Sequence, residues 1–166
     1  MTMPGFLLAA EHTSLAAAMR GEVGWEWLFP IVETLHVISL AMVFGSIVMV
    51  DLRLVGATSR NSAVSRLSGE VLPYTWGAFI FAVVTGTLLF VSKAHVYIYN
   101  LQFQLKFLCM FLAGVNMAVF HFGAYRHVLE WDERHQPPRA ARLAGALSMA
   151  LWIGVIFFGR WIGFTT

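Results

Sequence analysis

Cysteine and charge are both scarce in this sequence. Cys109 is its single cysteine, which excludes a disulfide framework, a CxxC redox motif and a CxxCH haem-attachment site. Charged residues make up 12% of the 166 residues, whereas an average soluble domain has roughly 25%. Hydrophobic residues make up 58%, and the mean hydropathy is +0.70. This composition predicts a membrane protein, and the length leaves room for one domain over residues 1–166.

Four apolar segments are long enough to span a bilayer, which takes about 20 mostly apolar residues. They cover approximately residues 28–50, 71–92, 105–125 and 143–164. Lipid offers the backbone no hydrogen-bond partners, so each segment is expected to be a helix. The predicted fold is an all-α, integral membrane, up-and-down four-helix bundle. A short amphipathic helix within residues 11–27 is expected on the membrane surface before it.

The distribution of basic residues predicts how this bundle is oriented. The connections after the first and third segments hold the arginines at positions 53, 60, 66, 126, 134, 139 and 142, and fewer basic residues lie on the other side. The positive-inside rule places these two connections in the cytoplasm. We therefore expect a multi-pass protein of a bacterial inner membrane with both termini on the periplasmic or outer side. No signal peptide is expected, because no basic residue precedes the first apolar run. Topology accounts for the arginines, so the lipid bilayer and not a nucleic acid is the expected partner.

Ionisable side chains gather in the outer third of the predicted bundle and mark the candidate binding site. They are Glu33, His36, His95, Lys106 and Arg160. A charged group at bilayer depth is costly, so it normally faces the bundle interior and finds a partner. We expect Glu33 to pair with Arg160, either as a purely structural tie between the first and fourth segments or as part of the site.

Glu33 and His36 are three residues apart and therefore share one face of a helix. The Glu-x-x-His spacing occurs in carboxylate-bridged metal sites of helix bundles, and it also suits a proton relay. A di-iron site would need further Glu or His ligands that the other segments do not supply.

His121 is the other histidine within the predicted spans, and His36 and His121 are the candidate metal ligands. Helical rise places His36 about 12 Å and His121 about 24 Å below the outer edge. Metal–nitrogen bonds of roughly 2 Å do not bridge that offset. One haem held by both histidines of a single chain is therefore not expected, whereas two separate sites stay open. Gly114, on the face of His121, would admit either a flat ring or a closely packed helix.

The order of four sequence motifs resembles a bacterial family of short four-span inner-membrane proteins of unknown function. The motifs are LFPIVETLHVISLAMVFGSIVMVDLRLVG, LPYTWGAFIFAVVTGTLLFVS, FQLKFLCMFLAGVNMAVFH and LSMALWIGVIFFGRWIGF. The resemblance covers nearly the whole chain and implies the four-span fold and the pairing of Glu33-x-x-His36 with Arg160. A looser similarity is to b-type cytochrome membrane domains and to the copper-resistance membrane domain. The resemblance implies no activity.

The sequence supports three hypotheses for the function. The leading one is a redox or electron-transfer module that binds haem b or a quinone near His36, with Glu33, Lys106 and Arg160 tuning the charge. The second is a small ion or metal transporter subunit. The third is a non-catalytic accessory subunit of a larger membrane complex, or a homo-oligomer. No nucleophile–histidine–acid arrangement points to hydrolysis.

Overall fold

A computed structural model describes residues 5–57, 63–132 and 137–165 of the chain. Its helices are α1 (Gly5–Glu11), α2 (Ser14–Met19), α3 (Leu28–Val55), α4 (Val64–Ser92), α5 (Ala94–Tyr99), α6 (Leu101–Phe122), a 3-10 turn (Ala124–His127), α7 (Val128–Trp131) and α8 (Arg139–Thr165). These residues include no β-strand, so the all-α prediction is confirmed. Arg60 and Arg134, which were counted for the orientation, lie outside the described residues.

Four of these helices are long and apolar enough to cross a membrane: α3, α4, α6 with the turn that follows it, and α8. The chain is thus a multi-pass integral membrane protein. The helices begin earlier or end later than the predicted spans. For example, α3 has 28 residues, which corresponds to about 42 Å, more than the roughly 30 Å of a hydrocarbon core. That the whole chain forms one domain stays a prediction.

The four long helices run alternately up and down, and three helix pairs pack closely. The pairs are α3–α4, α3–α8 and α6–α8, whereas α4 and α6 are not a close pair within the described residues. At one end α5 bridges α4 and α6, and the rings of Phe90 and Phe103 stack there with centroids 5.5 Å apart. We call this the outer end, following the predicted orientation, and the opposite one the inner end.

Small and hydroxyl-bearing residues line the close helix pairs, which is usual where helices pack in lipid. The Thr75 hydroxyl donates to Ser46 Oγ across α3–α4 at 2.8 Å, and Asn116 Nδ2 donates to the Ala144 carbonyl across α6–α8 at 2.9 Å. Two glycines near the outer end of α8, Gly159 and Gly163, differ in their surroundings. A Cβ atom at Gly159 would lie 3.6 Å from the Lys106 side chain, whereas one at Gly163 would meet open space.

The inner end holds the main cluster of buried apolar side chains, from the end of α3, the start of α4, α7 and the start of α8. Its members are Leu54, Val64, Val128, Trp131 and Ala141. Asp132, which is 4% exposed, accepts hydrogen bonds at the first turn of α4 from the backbone N–H groups of Val64 and Ser65 and from the Ser65 hydroxyl. A residue from a distant loop thereby caps α4, because Ala63 has no capping side chain.

The start of the chain forms two short helices, where the sequence predicted one. Thr13 separates α1 from α2 and caps α2, since its hydroxyl accepts a hydrogen bond from the Ala16 N–H. Arg20 then ties this region to the outer end, because its guanidinium donates to the Ser92 carbonyl at 3.2 Å. A second difference concerns the second span, which was predicted from residue 71, whereas α4 begins at Val64 and has Pro73 inside it.

Candidate functional site

His36 lies on α3 against α4, half-buried within the outer half of the bundle. Its Nδ1 is 3.0 Å from Thr85 Oγ1. The Thr85 hydroxyl donates its own proton to the Phe81 carbonyl at 2.9 Å, and the Ala82 carbonyl is a further acceptor beside the ring. Because the Thr85 hydroxyl gives its own proton to a backbone carbonyl, it acts as an acceptor toward Nδ1, so the neutral ring carries its proton on Nδ1. This tautomer leaves the lone pair on Nε2.

Gly86, the residue after Thr85, lets the imidazole ring lie close to the backbone of α4. A Cβ atom at position 86 would be 3.0 Å from His36 Cε1 and 3.5 Å from His36 Nδ1. Contacts this short would push the ring away from Thr85. The Thr85–Gly86 pair thus supplies both the hydrogen-bond acceptor and the space that fix the orientation of His36.

Lys106 brings a second polar group to the same half of the bundle. It lies in the first turns of α6 and is half-buried, with its side-chain carbons running beside Gly159 of α8. The ammonium is close enough to His36 for the two groups to interact electrostatically. Among the described residues it makes neither a hydrogen bond nor an ion pair. A half-buried amine and an imidazole lone pair therefore lie together, and both are able to bind a polar ligand.

The structure does not bring Glu33 and Arg160 together. Both side chains are exposed on the surface of the bundle, and the ion pairs of the described residues do not include this pair. The Arg160 guanidinium instead lies 5.1 Å from the centre of the Phe164 ring. Glu33 is near Tyr97 of α5, where burial raises the pKa of the phenol and the Glu33 carboxylate raises it further. The predicted ion pair between Glu33 of the first span and Arg160 of the fourth is therefore absent from the described structure.

His95 is held by the N-terminal helices. The Glu11 carboxylate accepts hydrogen bonds from the His95 backbone N–H at 2.8 Å and pairs with His95 Nδ1 at 2.7 Å. Burial opposes the ionised form of Glu11, but these hydrogen bonds outweigh it and hold the pKa of Glu11 below its ordinary value. His95 therefore belongs to a contact between α1 and α5.

His121 lies in the last turn of α6, toward the inner end, and is exposed. Its ring stacks on Tyr125 with centroids 5.1 Å apart. The structure places it at the opposite end of the bundle from the Lys106 start of α6, and so away from His36. No group of three or more His, Cys, Asp or Glu side chains suited to a metal ion occurs among the described residues. A Cβ atom at Gly114 would have nothing within 4 Å.

Two residues that matter here, Thr85 and Gly86, were not singled out from the sequence. They resemble ordinary small residues of a membrane helix, and only the pairing of α3 with α4 shows their role. One signal was available in the spacing of polar residues. Ser46 pairs with Thr75 and His36 pairs with Thr85, so the separation from His36 to Ser46 on α3 equals the separation from Thr75 to Thr85 on the antiparallel helix α4. Asp51, on α3 toward the inner end, is 5% exposed, and its Oδ2 has no hydrogen-bond partner among the described residues.

Comparison with known proteins identifies the family of the chain and gives no further match. The model of the Family of unknown function (DUF6644) matches residues 19–165. No curated protein and no solved structure matches the chain significantly. The similarity to cytochrome and copper-resistance membrane domains therefore has no support from these comparisons.

Proposed function

The chain belongs to the Family of unknown function (DUF6644), and we propose that it is a membrane redox module that binds a quinone in the outer half of its bundle. The observation that carries this proposal is the nearness of the Lys106 ammonium to the His36 ring, whose Nε2 atom keeps its lone pair. We further propose that it resides in a bacterial inner membrane with both termini outward.

The two groups complement the two forms of a quinone ring. An ammonium donates to the carbonyl oxygen of a quinone, and an imidazole nitrogen with a free lone pair accepts from the hydroxyl of a quinol. His36 needs no rearrangement to do this, because Thr85 and Gly86 already fix its tautomer and ring plane. A site whose polar groups are held in advance loses less entropy on binding.

A lipid-soluble ligand also needs a route from the bilayer. The α4–α6 side of the bundle offers one on the inner side of the Phe90–Phe103 stack, because these two helices are not a close pair in the described structure. His36 packs on α4, and Lys106 lies on α6. A ring that entered between α4 and α6 would meet both side chains without disturbing the close α3–α4 and α6–α8 pairs.

Haem b is the second candidate, and one observation favours it. An axial histidine commonly coordinates iron through one ring nitrogen while the other donates a hydrogen bond to an oxygen, and His36 has that arrangement. No second axial histidine lies beside it in the described ranges, since His95 pairs with Glu11 and His121 lies toward the inner end. The donor set therefore suits a quinone better than a bis-histidine haem.

The test measures both ligands on the purified protein. Lipid extracts are analysed for quinones by mass spectrometry, visible spectra are recorded before and after reduction, and a short-chain quinone analogue is titrated against tryptophan fluorescence. We expect His36→Gln and Lys106→Met each to raise the Kd of the analogue about tenfold, which corresponds to ~1.4 kcal/mol. His121→Gln is the matched control and should leave the Kd unchanged. Equal affinity in wild type and His36→Gln would reject the quinone site, and a Soret band lost in His36→Gln would establish haem instead.

A further inference from the structure

Asp51 is a buried carboxyl group at the inner end, far from the candidate quinone site. It lies on α3, fifteen residues beyond His36, a separation of about 22 Å along the helix. The side chain is 5% exposed, and no described residue makes a hydrogen bond to its Oδ2 atom. In a native structure an orphaned buried polar atom calls for an explanation such as a bound ion or a functional role.

The carboxyl group is enclosed where α3 packs on α8. Gly145 of α8 permits this close packing, because a Cβ atom there would lie 3.1 Å from the Asp51 carbonyl oxygen and 3.0 Å from Leu54 Cβ. Ser148, one turn further along α8, is the polar side chain that interacts with the carboxyl. A single hydroxyl does not balance a full negative charge away from water.

The charged groups of the surrounding elements are directed elsewhere. Arg53, two residues along α3, is buried and donates to the backbone carbonyl of Asp132 at 3.1 Å. The Asp132 carboxylate accepts from the first turn of α4. Among the remaining charged or titratable side chains that the structure describes in the neighbouring elements, Tyr125 is half-buried and packs on Phe120 and His121. The others are exposed: Arg66 and Glu70, which pair with each other on α4, Arg126 and His127 in the 3-10 turn, and Arg139 and Arg142 on α8.

The choice of ligand follows from the donors that are available. A metal cation needs several oxygen or nitrogen ligands, and no cluster of three acidic, histidine or cysteine side chains occurs in the described ranges. A proton needs only the carboxylate itself and leaves a neutral acid, which is far less costly to bury than an unpaired charge. Ionisable residues inside membrane bundles commonly serve in proton transfer.

We propose that Asp51 is a proton-binding site, enclosed between α3 and α8 at the inner end of the bundle. The neutral acid fits an Oδ2 atom that has no hydrogen-bond partner among the described residues, and loss of the proton places a charge beside Ser148 of α8. The exchange of this proton therefore alters the α3–α8 contact. This inference does not depend on the quinone site.

Infrared difference spectroscopy of the full chain in lipid bilayers tests the proposal. Perfusion from neutral to alkaline buffer should remove a protonated-carboxyl C=O band that shifts to lower frequency in heavy water. Asp51→Asn should abolish the band, whereas Glu33→Gln and Glu70→Gln, which alter exposed carboxylates on α3 and α4, should retain it. A band that is absent from wild type, or that persists in Asp51→Asn, overturns the proposal. Loss of the band on adding sodium at constant pH overturns it as well, because the site would then bind a metal cation.

A second measurement requires no variant and covers a failure of Asp51→Asn to fold. A protonated carboxylic acid adds across a C=N bond of a hydrophobic carbodiimide, and the O-acylisourea that forms rearranges to a stable N-acylurea. At neutral pH we expect this adduct on the peptide that contains Asp51, and we expect its yield to fall in alkaline buffer. An unmodified Asp51 peptide, alongside full recovery of that peptide by mass spectrometry, contradicts the proposal.

Discussion

Thr85 determines which nitrogen of His36 is available to a ligand. Its hydroxyl accepts from Nδ1–H and donates to the Phe81 carbonyl, so Thr85→Val removes the hydrogen bond that orients the ring. The loss of one such hydrogen bond costs about 0.5–1.5 kcal/mol. We expect Thr85→Val to lower the unfolding temperature in detergent and to weaken binding of the quinone analogue.

The control for this prediction is Thr87→Val on the same helix. Thr87 is exposed, and its hydroxyl bonds only to the Val83 carbonyl within α4. The two variants carry the same chemical change, and only one touches His36. Equal effects of the two substitutions on analogue binding would contradict the role assigned to Thr85.

Asp132 is the residue whose loss should most weaken the inner end. Its carboxylate accepts from Val64 and Ser65 at the start of α4, and its backbone carbonyl accepts from the buried Arg53. Removing a helix cap costs about 0.5–2 kcal/mol. We expect Asp132→Ala to reduce the free energy of unfolding by at least this amount, measured by denaturation in mixed micelles. Glu70→Gln, an exposed change on α4, should have little effect.

The contact between α3 and α8 depends on a single glycine. A Cβ atom at Gly145 would come within 3.1 Å of the Asp51 carbonyl and 3.0 Å of Leu54 Cβ, and backbone atoms are unable to move aside. Overpacking of this kind costs roughly 1–3 kcal/mol. We therefore expect Gly145→Leu to destabilise the bundle and to increase hydrogen exchange along both helices. Gly163→Leu on α8 is the control, because position 163 faces open space.

The contact between α1 and α5 should become less stable at acid pH. The pKa of Glu11 is lowered from an ordinary value of 4.5 by its bonds to His95, although burial opposes this. A lowered carboxyl pKa stabilises the contact above the unfolded value and loses that stabilisation as the pH falls through the folded value. The protection factors of the α1 amides, which compare each exchange rate with the intrinsic rate at the same pH, should therefore fall below about pH 4.5. Glu11→Gln should show low protection factors at every pH, and wild-type protection factors that do not change with acid would contradict the assignment.

The four long helices were predictable from hydropathy, but their ends were not. Hydropathy reports only the part of a helix that lies at lipid depth, whereas α3 and α4 continue beyond it. The start of α4 at Val64 depends on a cap from Asp132, 68 residues away in sequence. The segment from Val64 to Pro73 contains several polar residues, which by themselves favour a loop. The cap from Asp132 allows it to be the first part of α4.

The candidate site was predictable only in part for a related reason. Helical rise placed His36 and Lys106 in the outer half, and the structure brings them together. The same argument joined Glu33 to Arg160, because depth alone does not say which face of a helix points inward. Both side chains are exposed, and so they lie apart. The depth of a side chain in the membrane follows from its position in the sequence. Whether the side chain points into the bundle or away from it depends on which helices pack together.

The orientation of the whole molecule remains a prediction of its arginine distribution. In a Cys109→Ala background, Glu26→Cys and Ala57→Cys place single exposed thiols near opposite ends of α3. We expect an impermeant maleimide to label position 26 in intact bacterial cells and position 57 only after permeabilisation. The reverse pattern would show that the bundle is inserted the other way.

The packing order of the helices differs from the order in which the ribosome makes them. Side by side, the close pairs run α4, α3, α8, α6, whereas the chain is synthesised as α3, α4, α6, α8. Each early helix finds its hairpin partner at once, but α3 meets α8 only when the last span has been made. Until then the nascent protein exists as an N-terminal hairpin with the α8-facing side of α3 uncovered. A chain cut short before α8 would expose that side, including Asp51, to lipid or to the machinery that removes unfinished membrane proteins.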